Sequence, residues 1–322
     1  MMNLLSYPLK VAKVLYSKYD SSKSKFGRNW TLFSVKEYAN DLIYDRLMSN
    51  KPLMIARLGS TELACMVNYL GVKYPEQYKS VGGFISQTSP PWWWNSGSIK
   101  QMENWSGFFP ATQENIEKFC LMMIDDLNQV DILGSWLKEE TFFQRELSQS
   151  KKVMLEDLEP FFATNPWTRA LENKKVLVIH PFAEQIESQY LNRDKLFHNN
   201  LLPQFELKTI KAVQSLAGEE TNYKDWFEAL DSMKNQIREM DFDICIIGCG
   251  AYGFPLASYV KSLGKKAIHL GGVTQLLFGI KGARWENYIV YPYENLYNEY
   301  WVRPSDKNRP KNAAAVEGAC YW

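Results

Sequence analysis

Residues 244–247, Ile-Cys-Ile-Ile, form a wholly apolar run that leads directly into the turn Gly248-Cys249-Gly250-Ala251-Tyr252-Gly253. A strand without polar alternation is buried on both faces, as happens inside a parallel sheet covered by helices. The preceding segment agrees, because Trp226, Leu230, Met233, Ile237 and Met240 recur at helical spacing. Helix feeding a doubly buried strand points to an α/β fold.

The same alternation extends through the chain. Ser34 and Glu37 have capping-box spacing, followed by a helical pattern at Tyr38, Leu42, Ile43 and Leu47. Residues 53–56 read as a strand, Arg57-Leu58-Gly59-Ser60-Thr61-Glu62 as a tight turn, and the following segment as a helix that Gly71 ends. Further helices are expected over 116–127, 139–147 and 256–263, with a short one that Pro166 starts. Strands are expected at 130–133, 153–155, 176–179 and 267–270. The pattern predicts a Rossmann-like, mostly parallel sheet with helices on both faces. It forms one domain over residues 34–300, with an N-terminal extension over 1–33 and a C-terminal tail over 301–322 packed on it. No Pro/Gly/Ser-rich linker divides it.

Charge narrows the function classes. Thirty-seven basic residues against thirty-six acidic ones leave +1, so no global field draws in nucleic acid. The five cysteines are scattered and form no CxxC pair, which fits a reducing compartment. No apolar run approaches the roughly 20 residues of a spanning helix, and the first twenty residues lack the features of a signal peptide. A cytoplasmic protein is expected. Residues 4–19 offer a segment for contact at the inner face of a membrane.

In a parallel α/β sheet, ligands gather beyond the carboxyl ends of the strands, and that rule sorts the motifs. Gly248 to Gly253 fits GxGxxG after a strand, with glycines that let backbone N–H groups approach a phosphate at a helix N-terminus. An NAD(P) site also needs an acidic residue at the end of the next strand, where this chain has His269-Leu270-Gly271-Gly272. The ordinary alternative is a tight turn. Arg57, Gly59, Ser60 and Glu62 lie at the ligand end of their strand, although Ser60 and Glu62 also suit a helix start. His180 and Glu184 follow another strand as candidate proton acceptors, or as a core histidine and a first-turn glutamate. Asp241-Phe242-Asp243 precedes its strand and so lies at the wrong end for a ligand. The segment Pro90-Pro91-Trp92-Trp93-Trp94-Asn95-Ser96-Gly97 reads as a loop that exposes at least one of Trp92, Trp93 and Trp94, as a sugar platform, a lid or an interface.

Arg57 to Glu62, together with Gly248 to Gly253 and Gly264-Lys265-Lys266-Ala267-Ile268-His269-Leu270-Gly271-Gly272, resembles the GT-D-type glycosyltransferases. The tail from Trp301 through Val316-Glu317-Gly318-Ala319-Cys320-Tyr321-Trp322 resembles a branch of that family associated with bacterial surface polysaccharides. The resemblance implies transfer from a nucleoside diphosphate sugar to a carbohydrate or glycolipid acceptor. It implies a donor site formed by Arg57, Gly59, Ser60, Gly248, Gly250, Ala251, Tyr252, Gly253 and Gly272. Glu62 would bind Mn²⁺ or Mg²⁺ or orient the donor, His180 or Glu184 would accept the acceptor's proton, and Trp92 to Trp94 would stack on sugar. One departure bears on the metal: the family's D-x-E pair is Ser60-Thr61-Glu62 here, with one carboxylate. Glu156 and Asp157, after another strand, are the nearest source of more. Two other classes stay open, a nucleotide-sugar or glycan binding protein without turnover, and an NAD(P)-dependent oxidoreductase.

Overall fold

The computed structural model describes residues 6–20, 22–219, 221–286, 288–310, 313 and 319–322. Parts of the extension and tail, including Val316, Glu317 and Gly318, lie outside the described residues.

Seven parallel strands form one sheet in the order β3-β2-β1-β7-β6-β4-β5. They are β1 (Leu53–Arg57), β2 (Ile132–Ser135), β3 (Lys151–Met154), β4 (Lys175–His180), β5 (Glu206–Lys211), β6 (Ile244–Ile247) and β7 (Lys266–His269). The alternation of side chains across a strand splits the core in two. Met54 and Ala56 face one buried cluster, and Leu53 and Ile55 face the other. Helices α1 (Ser6–Tyr19), α2 (Lys36–Met48), α3 (Ser60–Lys73), α4 (Ser96–Ser106), α5 (Gln113–Leu127), α6 (Ala183–Tyr190), α7 (Trp226–Arg238) and α8 (Gly253–Ser262) surround the sheet. Side chains of α3, α5, α7 and α8 fill the first cluster, while α2, α6 and the C-terminal segments cover the second. The α/β expectation with helices on both faces is what the chain adopts. β5 escaped the sequence reading because it is an edge strand with only Ile210 fully buried.

Several local expectations are corrected by tertiary contacts. Ser34 and Glu37 form no capping box, since α2 starts after Val35 without a side-chain cap. Ser34 Oγ donates to Asp157, and Glu37 accepts the backbone N–H of Thr164 at 2.7 Å. Segment 139–147 makes only the 3₁₀ turn Lys138–Phe143, with Glu140 accepting the N–H groups of Trp136 and Leu137. Gly97 lies in the first turn of α4, capped by Asn95.

Gly71 does not end α3, which continues to Lys73. The glycine is needed because the Pro90-Pro91 loop crosses the helix there, so that an added Cβ would meet the Pro91 carbonyl oxygen at 2.2 Å. Asn68, one turn earlier, ties the same loop down by donating to the carbonyls of Pro91 and Trp93 at 3.2 and 2.9 Å. An exposed helical Gly→Ala change ordinarily stabilises by about 1 kcal/mol. Here the sign should invert: Gly71→Ala is expected to destabilise by roughly 1–3 kcal/mol in urea unfolding, the cost of overpacking against backbone. A more stable variant would show that the loop does not hold this position.

Candidate functional site

The carboxyl ends of β1, β7, β6 and β4 lie side by side, and beyond them opens a crevice of about 1260 Å³ including its mouth. That is room for a ligand of nucleotide size. Its wall includes Arg57, Gly59, Ser60, Glu62, His180, Gly248, Gly250, Ala251, Tyr252 and Gly272. Segments more than 200 residues apart in sequence thus share one cavity.

Arg57, the last residue of β1, lies under the turn after β7, where a Cβ on Gly271 would sit 3.4 Å from its Cδ. Its guanidinium is 5.3 Å from the ring of Trp136, and the Trp136 indole is itself fixed by donating to the Leu58 carbonyl at 2.9 Å. Among the described residues the guanidinium has no hydrogen bond and no ion pair. Burial lowers its pKa, opposed by Tyr321 and Glu62, yet an arginine stays charged throughout the working range. Arg284 brings a second cation to the same wall, 4.6 Å from the ring of Tyr321. Among the described residues Glu62 is the only carboxylate of the wall. It stands in the first turn of α3 and folds back over Gly59, where a Cβ would meet its Oε2 at 1.8 Å.

The glycine-rich turn combines two demands. Gly248 admits the neighbouring turn, since a Cβ would lie 2.6 Å from both the Gly271 carbonyl oxygen and Thr274 Oγ1. Gly250 has φ +57°, and the space a side chain would enter is open. Of the residues expected to approach phosphate, Gly250 is therefore the one whose backbone faces open space. Gly253 is not on the wall, because the His269 ring covers it. Tyr252 turns into the core, stacking on Trp226 at 4.8 Å. Gly272 is overlaid by Tyr321.

Two buried histidines face the cavity. Burial pushes His180 down to about 3, and burial plus the charge of Arg57 does the same to His269. His180 Nδ1 accepts the Phe182 N–H at 3.0 Å, so the neutral ring carries its proton on Nε2 and presents a donor. That corrects the expected proton acceptor. His269 Nδ1 lies 3.3 Å from the Ile247 carbonyl and, as its donor, leaves Nε2 unprotonated.

Other expected site residues lie elsewhere. Glu184 is exposed and pairs with Lys211 at 3.1 Å, away from the crevice. Trp92, Trp93 and Trp94 are all half-buried and none lines the wall. Trp92 and Trp93 pack on Phe84, and Trp94 packs on Tyr69. The aromatic wall comes instead from Trp105, Trp136, Tyr321 and Trp322. Trp105 and Trp136 belong to no motif, and the tail motif that carries Tyr321 and Trp322 reaches the site through contacts such as the Arg284 N–H to the Cys320 carbonyl, 2.7 Å.

A divalent metal does not fit this donor set. Hard cations take several oxygen ligands, and Glu62 stands alone on the wall. Glu156 and Asp157 are committed to Arg28, Ser34, Lys36, Tyr288 and Tyr291. Among the described residues no group of three His, Cys, Asp or Glu side chains could hold a metal ion. Asp241 and Asp243 lie at the amino end of β6, bonded to the Lys175 ammonium and the Lys175 N–H.

The buried histidines make a measurable prediction. A base whose folded pKa is depressed gives stability that is complete above its unfolded value, near 6.5, and is lost as pH falls towards 3, because only the unfolded chain takes up the proton. His180→Asn keeps an acceptor for the Phe182 N–H and removes this titration. The unfolding free energy of the wild type relative to the variant should fall by about 1.4 kcal/mol per pH unit between pH 6 and 4. A difference independent of pH would mean that the ring is not buried neutral. Taking the difference removes opposing contributions such as Glu159, whose carboxyl burial raises to about 8.

No family model matches the chain, and comparison with curated proteins and with solved structures finds no match, so the reading of the crevice rests on its own residues.

Proposed function

We propose that the crevice binds a nucleoside diphosphate sugar and that the protein is a glycosyltransferase acting on a carbohydrate or glycolipid hydroxyl, in surface polysaccharide or glycoconjugate assembly. The observation that carries this reading is Arg57. Its guanidinium is half-buried on the crevice wall and has no acceptor among the described residues, so its donors are left for an anion that a ligand supplies. Its forked donors suit a phosphate. Arg284, the open backbone at Gly250 and the N-terminus of α8 add positive potential on the same side.

The chemistry follows from charge placement. The diphosphate lies between Arg57 and the turn at Gly250, and the bond from the anomeric carbon to the phosphate oxygen breaks as negative charge gathers on that oxygen. Arg57 and the neutral His180 Nε2–H donate to the leaving diphosphate. The acceptor hydroxyl forms the new bond and passes its proton to Glu62, the one carboxylate on the wall. Trp136 and Trp105 offer ring faces to the base or the sugar. The cation role that the family gives to a metal falls to the guanidinium groups.

A specific observation favours one second reading, binding without turnover. With Glu184 outside the crevice and His180 a donor, proton acceptance depends on Glu62 alone. An oxidoreductase reading lacks support, since β7 ends in His269 where a dinucleotide ribose calls for an acid.

Isothermal titration with nucleoside diphosphates and their sugars tests the proposal. Arg57→Gln should weaken binding by roughly 10- to 100-fold, as expected for losing hydrogen bonds to a charged group. Its melting temperature should hold, since the half-buried guanidinium makes no hydrogen bond or ion pair among the described residues that the change would break. Unchanged affinity in the folded variant would defeat the phosphate role. Glu62→Gln should bind donor normally and lose on the order of a hundredfold or more in transfer. Chelator should leave binding and transfer within about twofold, because the wall offers a cation too few ligands. Donor binding with no hydrolysis or transfer across an acceptor panel would select the binding protein.

A further inference from the structure

From the outward face of α1 we infer a docking surface for membranes rich in anionic lipid. The surface is independent of the crevice and its reading.

Helix α1 is turned the unusual way round. Its inner side presents Leu9, Ala12, Lys13 and Tyr16 to the body, with the Lys13 ammonium 5.2 Å from the ring centres of both Phe26 and Phe84. Its outer side presents Tyr7, Val11, Val14, Leu15 and Tyr19 to solvent. Tyr7 is 76% and Tyr19 90% exposed, so these rings rest on nothing among the described residues. A helix on a water-facing surface ordinarily carries its polar residues outward. Further along the chain Trp30, Phe33, Val35 and Tyr38 are also exposed. Among the described residues, five of the nineteen exposed large apolar side chains fall on the single helix α1. Such clustering marks an interaction surface rather than scattered exposure.

Charge selects the partner. The first 28 residues hold six basic side chains and one acid; Lys13 faces the body and Arg28 pairs with Glu156, which leaves Lys10, Lys18, Lys23 and Lys25 exposed. Lys10 and Lys18 stand on the outer side of α1 itself, and no acid lies in the helix. An apolar stripe with lysines at its edges is the pattern of a helix lying in the lipid interface, with its rings among acyl chains and its ammonium groups at anionic headgroups. A second copy of this chain would bring like charges together, which disfavours self-association through this face. No described helix is long and apolar enough to cross a membrane, so binding here is peripheral. The chain from α1 then reaches the crevice: Arg28 stands over Trp30 at 4.4 Å and is 5.8 Å from the ring of Trp136 on the crevice wall.

Vesicle flotation with the full chain tests the inference. The wild type should float with phosphatidylcholine vesicles containing roughly a third phosphatidylglycerol, and should stay in solution with phosphatidylcholine alone. The charge contribution should be screened by high salt. Lys10→Gln with Lys18→Gln should weaken binding by roughly thirtyfold, given the usual contribution of a basic residue near an anionic surface. Val14→Asp with Leu15→Asp should abolish flotation while leaving circular dichroism and melting unchanged, since both side chains are exposed. Three results would overturn the inference: no flotation with either vesicle, equal flotation with both, or a wild-type dimer that the Val14→Asp/Leu15→Asp variant dissociates in the absence of lipid binding. The lysine pair keeps the test decisive if the aspartate variant misfolds.

Discussion

The sheet consists of two three-strand halves, and β7 is the strand that joins them. β3, β2 and β1 lie to one side and β6, β4 and β5 to the other, with β7 pairing with β1 through Leu53 opposite Lys266 and with β6 through Ile247 opposite His269. Without those four residues the halves have no ladder between them. The crevice opens at the same place, because the strand order reverses across this junction and neighbouring connections diverge from it. His269 closes β7 and lies against the start of α8, and the next turn covers Arg57. Joint and site are therefore built from the same residues.

That coincidence explains the charge pattern of the cavity. The residues of the joint are packed on both faces, so the groups they carry to the strand ends are stripped of water. The two histidines respond by staying neutral. Arg57, half-buried at the end of β1, remains a cation in a place where an anion from outside would be its partner. The carboxylates that might have paired with it are held elsewhere: Glu156 anchors the extension through Arg28, and Asp157 pairs with Lys36 at the start of α2. Separation of the acidic cluster from the crevice keeps the cavity positive although the chain as a whole is nearly neutral.

Helix α1 and the crevice are linked through a similar division of labour. Residues 24–30 hand Gly27 to Glu139 and Arg28 to Glu156, fixing the extension to the body beside Trp136. What precedes them is left to carry its apolar side outward. The short helix Val81–Ile85 supplies Phe84, which supports Lys13 of α1 on one side and Trp92 and Trp93 on the other. The triple tryptophan thus serves as a brace for the region under α1, a role that its position in a proline-rich loop did not suggest.

The sequence alone determined the α/β class and the end of the sheet at which to look for a ligand, because doubly apolar strands such as Ile244–Ile247 tolerate no exposed face and strand direction is fixed by the alternation with helices. It also placed Arg57, Glu62, Gly248 and Gly250 together, since each directly follows or ends a strand and strand ends converge. Glu184 met the same criterion and failed, because its side chain leaves the first turn of α6 towards Lys211 on the neighbouring strand. Ser34 and Glu37 satisfied a local spacing rule but found stronger partners in Asp157 and Thr164, far away in sequence. Tyr321, Trp322, Trp136 and Arg284 were beyond local reading for a related reason. Only the tertiary structure decided which distant segments close over the strand ends, and so which aromatic rings and cations face the ligand, because that choice is made by packing against surfaces that do not exist until the sheet has formed.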